Sequence, residues 1–255
     1  MARKLKDALE LGRREIISLV GGGGKTTLLY WLAEELRQQG VILTTSTKMW
    51  YPPPAVPLIL WQDPEQVKIE LKARLAAGQT PLLAAADLPQ LEKVAGLNQE
   101  QLRELAGWGL PATIVIEADG AKGRPLKGYR DFEPVLTPTT SLLLQVVGAD
   151  AIGQRLSDRF AHCPEKIAAG AGLQMGAPLD TPSLAAALLY PHRSWEKVLP
   201  GVRKIAVVNK VDLLDDITPA QDLARKLLES GYFAKALLTG QEGYFSSPAL
   251  FLSLA

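Results

Sequence analysis

Residues 15–38 read EIISLVGGGGKTTLLYWLAEELRQ, and this stretch decides the fold. Glu15 to Val20 is an apolar, partly β-branched run of strand length, Gly21 to Gly24 interrupt it, and Lys25 to Gln38 is built of good helix formers. Strand, tight loop and helix in that order predict a phosphate cradle. Glycine reaches φ values closed to other residues, so successive N–H groups can converge on an anion, and the helix N-terminus adds positive potential. Lys25 is placed to reach β and γ phosphates and the Thr26 hydroxyl to ligate Mg²⁺, with Gly21, Gly22, Gly23, Gly24 and Thr27 completing the cradle. In the pattern G-x-x-x-x-G-K-[ST] the first glycine falls at Leu19, so only the second half is matched.

Outward from the cradle, the chain alternates strands and helices. Val41–Thr45 is a second strand, opening into Ser46, Thr47 and Lys48 and then into Trp50, Tyr51 and three prolines that force an extended exit. Short strands are predicted at 58–61 and 81–85, with a helix at 64–77 between them, and a helix at 98–106 leads into the strand TIVIE at 113–117. Further strands are predicted at 141–147, 204–208 and 236–238, with a helix at 219–230 and a short amphipathic helix at 2–11. Continuous apolar strands alternating with helices imply a mostly parallel sheet covered on both faces, an α/β three-layer P-loop NTPase-like fold. The whole chain, 1–255, is expected to be one such domain with inserted segments.

Composition narrows the classes. Of 255 residues 47% are hydrophobic and 22% charged, normal for a globular chain, and 28 basic against 27 acidic residues leave no footprint for nucleic acid. Every apolar run is broken well before the ~20 residues of a membrane span, and the N-terminus lacks a signal-peptide core, so a cytoplasmic protein is expected. A single cysteine, Cys163, and two histidines, His162 and His192, are too few for a structural zinc site. His162 beside Cys163 is read as a loop histidine next to a small buried thiol.

Two more constellations belong to the strand ends. Glu117 and Asp119, two residues apart, point to the same side at the tip of TIVIEAD; either can touch Mg²⁺, and Asp119, at the strand mouth, is assigned to it with Glu117 orienting water. Lys122, Arg124 and Lys127 follow in a Gly- and Pro-containing loop, either an anion clamp for a triphosphate or anionic substrate or a plain solvated loop. Thr44, Thr45, Thr47 and Lys48 offer substrate contacts or plain loop capping. Asn209-Lys210-Val211-Asp212 follows the strand KIAVV and matches N-K-x-D, in which the carboxylate accepts from guanine N1–H and N2–H. GTP is therefore the expected nucleotide, with ATP as the other candidate.

The phrases LVGGGGKTTLLYWLAEEL, GVILTTSTKMWYPP, IVIEADGAKGRPLKGYRDFEPVLTP, VVGADAIG, HCPEKIA and VVNKVD together resemble the YqeC family of selenium-dependent hydroxylase accessory proteins. That resemblance implies a P-loop protein assisting the maturation of selenium-dependent molybdenum hydroxylases, with such an enzyme or its cofactor-handling proteins as partner. The family's motif positions would be Gly21 to Thr27, Thr44 to Lys48, Glu117 to Gly120, Lys127 and Glu133. The expected activity is slow GTP hydrolysis, since no switch glutamine or arginine finger is identifiable. A small-molecule phosphotransferase and a non-hydrolysing nucleotide-gated chaperone are the alternatives.

Overall fold

A computed structural model describes residues 4–240 and the backbone of 252–254. The chain begins with α1 (Leu5–Ala8), β1 (Ile16–Gly21), α2 (Lys25–Leu36), β2 (Val41–Thr45), β3 (Met49–Trp50) and β4 (Leu58–Leu60). It continues with α3 (Pro64–Ala76), β5 (Leu82–Ala84), β6 (Ala86–Leu88), β7 (Lys93–Ala95), α4 (Gln99–Gly107), β8 (Thr113–Glu117), β9 (Leu126–Lys127) and β10 (Leu142–Gly148). β11 (Ala161–His162), α5 (Pro164–Ala171), α6 (Thr181–Leu189), α7 (His192–Val198), β12 (Arg203–Asn209), α8 (Thr218–Glu229), β13 (Lys235–Leu238) and β14 (Leu252–Leu254) complete it.

Nine strands form the main sheet in the order β14-β13-β12-β10-β1-β8-β2-β5-β4, all parallel except β14. The strands are buried on both faces, which is why they read as unbroken apolar runs. Side chains alternate between the faces. Leu142, Leu144 and Val146 join Leu28, Leu29, Leu32 and Leu36 of α2 and Leu5 of α1 in one core. Leu143 faces the opposite side with α3, α4 and Trp195, and Val147 with α5, α6 and α8. The result is the expected three-layer P-loop NTPase-like α/β architecture.

The short N-terminal helix packs as its pattern implies: the Glu35 carboxylate accepts from Leu5 N and Lys6 N at 2.9 and 2.8 Å, fixing α1 against α2. Elsewhere polar residues set the helix starts. Asp63 accepts from Gln66 N ahead of Pro64, and Asn98 and Gln101 form a reciprocal capping box at α4. Two small sheets lie outside the expected elements. β3, β7 and β6 make a three-stranded antiparallel sheet after β2, and β9 pairs with β11 in parallel.

With β1 between β8 and β10, the carboxyl ends of β1, β8, β10 and β12 meet at one edge of the sheet. That edge carries the candidate site.

Candidate functional site

The glycine loop is shaped by close approach on three sides. Gly21, Gly23 and Gly24 have φ of 102°, 75° and 120°, the left-handed region that favours glycine. A Cβ at Gly22 would lie 2.6 Å from Arg124 O, and one at Gly23 would lie 2.1 Å from Gly148 N. The loop is thus wedged between the segment after β8 and the end of β10. Its N–H groups are unequally placed: Gly21 N donates to Asp119 Oδ2 (2.8 Å), Gly22 N to Val146 O and Gly23 N to Arg124 O (both 2.9 Å). The donors left for a ligand are those at the start of α2, whose first turn has no intrahelical acceptors. The cradle is therefore narrower than four glycines imply.

Lys25 is almost fully buried. Its Nζ donates to Gly21 O at 2.5 Å and lies 3.0 Å from Asp119 Oδ1, with side-chain exposures of 3% and 0%. The Thr26 hydroxyl donates instead to Glu117 Oε2, at 2.7 Å. Sequence expects Thr26 and Asp119 to share Mg²⁺; in the structure Asp119 holds the lysine and the loop, while Glu117 holds the hydroxyl. Strand order explains this, since β8 lies directly beside β1 with Glu117 in register with Leu19. Burial pushes both carboxyl groups above their ordinary values, opposed chiefly by Lys25.

A threonine hydroxyl and a carboxylate side by side at a helix N-terminus form a hard oxygen set suited to Mg²⁺. Among the described residues no group of three or more His, Cys, Asp or Glu is placed to hold a metal. Any cation here would complete its shell with ligand oxygens and water.

The Asn209 loop is attached to the glycine loop. Asn209 Nδ2 donates to Gly23 O at 2.8 Å, and its Oδ1 accepts from the Thr239 hydroxyl at 2.7 Å. Lys210, at φ 64°, pairs with Asp150 at 2.9 Å. Asp212 is exposed, and its carboxylate lies against Gly240, where a Cβ would come within 2.4 Å of Oδ1. Thr239, Gly240 and Asp150 were not expected from sequence. Their only signal is position, each falling just beyond the carboxyl end of an apolar strand.

The remaining candidates divide. Thr44 and Thr45 are buried and bonded to backbone: Thr44 Oγ1 to Leu83 O (2.8 Å), and Thr45 Oγ1 to Glu117 O (3.1 Å). They cap the strand ends. Thr47 lies beside Gly120, and Lys48 is exposed. Lys127 is not available to an anion clamp, because it is buried and its Nζ donates to Glu133 Oε2 at 2.7 Å. Lys122 and Arg124 are exposed. Cys163 is buried, with Sγ 3.8 Å from His162 Nε2.

Comparison with known proteins adds the following. The family model described as YqeC protein matches residues 17–165, a span that holds the glycine loop, Glu117 and Asp119 but ends before Asn209. The Escherichia coli K12 protein named Uncharacterized protein YqeC is 30% identical over 135 residues, 53% of each chain, so the match spans about half the length of that relative. No solved structure matches the chain. No helix among the described residues is long and apolar enough to cross a membrane.

Proposed function

The chain belongs to the YqeC family, and from that premise we propose that it is a GTP-binding P-loop protein that uses Mg²⁺ and serves the maturation of a selenium-dependent molybdenum hydroxylase. The observation that carries the nucleotide reading is the junction of β1 and α2. There a buried lysine, a hydroxyl–carboxylate pair and the unpaired N–H groups of a helix start converge. Lys25 exchanges Asp119 for the terminal phosphates, and Asp119 keeps the loop in shape through Gly21 N. Thr26 and Glu117 hold the metal, which when bound neutralises phosphate charge. Asn209 fixes the base loop to the phosphate loop, and Asp212 reads guanine.

Slow hydrolysis is the accompanying expectation. Asp119, committed to the loop through Gly21 N, is poorly placed to activate water, which leaves Glu117 as the group beside the metal and its water. The client role rests on family resemblance. Calorimetric titration of GTP and ATP with Mg²⁺ tests the base-reading part. GTP is expected to bind more tightly than ATP, and Asp212→Asn to erase that preference. Equal binding of both nucleotides, unchanged in the variant, defeats guanine recognition.

A further inference from the structure

We propose that the turn from Lys122 to Arg130, together with His162, binds a second ligand beside the glycine loop, a small molecule carrying a phosphate or carboxylate group. It rests on the nucleotide reading only in taking that loop as the neighbouring site.

The backbone ties the turn to the loop. Arg124 O accepts from Gly23 N at 2.9 Å, and Pro125 O accepts from Gly148 N at the same distance. Two residues on, the β9–β11 ladder sets His162 in register with Lys127, and Gly128 N donates to His162 O at 2.7 Å. A Cβ at Gly128 would lie 2.2 Å from Cys163 O, so the turn is drawn tightly against the start of α5. The Glu133 carboxylate then accepts from Lys127 Nζ and, at 3.2 Å, from Arg130 N, which closes the turn and neutralises its one buried cation.

Three exposed cations remain, Lys122, Arg124 and Arg130, and among the described residues none has an acidic partner. Two of them, Lys122 and Arg130, act with buried Lys127 on a half-buried imidazole, that of His162, which the ladder sets opposite Lys127. The pKa of His162 is lowered to about 4, first by its burial and then by Lys127, Lys122 and Arg130, with Glu133 opposing them. A local excess of positive charge in a chain of net charge +1 points to an anion at that spot. A neutral imidazole at its wall can donate or accept a hydrogen bond.

His162 is also the reporter. With only one other histidine, His192, imidazole NMR follows it directly. The protein is first saturated with Mg²⁺ and a non-hydrolysable GTP analogue to fill the glycine loop. Orthophosphate, or citrate in a parallel series, is then expected to raise the His162 midpoint by about one pH unit as the surrounding charge is neutralised. In Lys122→Asn/Arg130→Ala, anion affinity should fall about tenfold per cation removed, with nucleotide affinity unchanged. Asparagine is chosen because residue 122 has φ 49°.

A response to either anion supports the site and separates a phosphorylated from a carboxylated ligand. No movement with either, or equal movement in the double variant, overturns it. Repeating the titration on Lys25→Ala without nucleotide keeps the two readings apart. If the wild-type protein fails to bind nucleotide but His162 still responds in Lys25→Ala, the nucleotide reading falls and the anion site stands.

Discussion

Asp119 and Glu117 sit two residues apart and do different things to the molecule, a difference that mutation can expose. Asp119→Asn strips the counter-charge from a lysine that is only 3% exposed. Breaking a buried pair by removing one partner costs about 3–5 kcal/mol, so a marked drop in denaturation midpoint is expected. Lys25→Met/Asp119→Asn should lose much less than the sum of the two single variants. Additive losses would mean that the pair is not coupled in the folded protein. The run of glycines marks the tight strand-to-helix loop in the sequence, and Gly21, Gly23 and Gly24 do take positive φ there. Which carboxylate met which partner was not legible, since that depends on β8 lying beside β1, a long-range fact carried by no local pattern.

Elements were legible in proportion to their length and burial. β1, β8, β10 and β12 are buried runs of five to seven residues, and their positions follow from the sequence to within a residue or two. β3 and β9, two residues each, have no period to read; they exist because a non-local neighbour supplies the ladder. The burial of Lys127 is hidden from the sequence for the same reason, as Glu133 reaches it only once the turn has closed. The loop after β12 and the loop before α2 act as one element through Asn209. Asn209→Ala leaves Gly23 O and the Thr239 hydroxyl without that partner, and a loss of about 1–3 kcal/mol is expected, together with weaker nucleotide binding. Asp212→Asn, by contrast, should leave thermal stability nearly unchanged. A variant at 209 that kept full stability would show that the loops are not joined.

Across the whole molecule, His192 marks how the layers respond to acid. It begins α7, its Nε2 lies 2.7 Å from Gln145 Oε1 on β10, and its ring packs against Trp195 and Phe233. Burial first, and Lys204 second, lower its pKa to about 4 from 6.5. The unfolded chain therefore takes up a proton that the folded chain refuses as pH falls from 6.5 towards 4, and stability is lost across that window. The full effect is about 3 kcal/mol, and His192→Gln, which can still donate to Gln145, should flatten the slope in equilibrium unfolding measured at several pH values. An unchanged slope would assign the acid sensitivity elsewhere.

The sheet's outer strand has a consequence of another kind. β4 is three residues long, pairs only with β5 among the described strands, and follows Pro52, Pro53, Pro54 and Pro57. Proline brings no N–H, so the segment ahead of β4 cannot lengthen the edge, and the ladder open there is only three residues long. A short edge strand entered from a proline run leaves a neighbouring sheet little backbone to pair with, a brake on edge-to-edge growth.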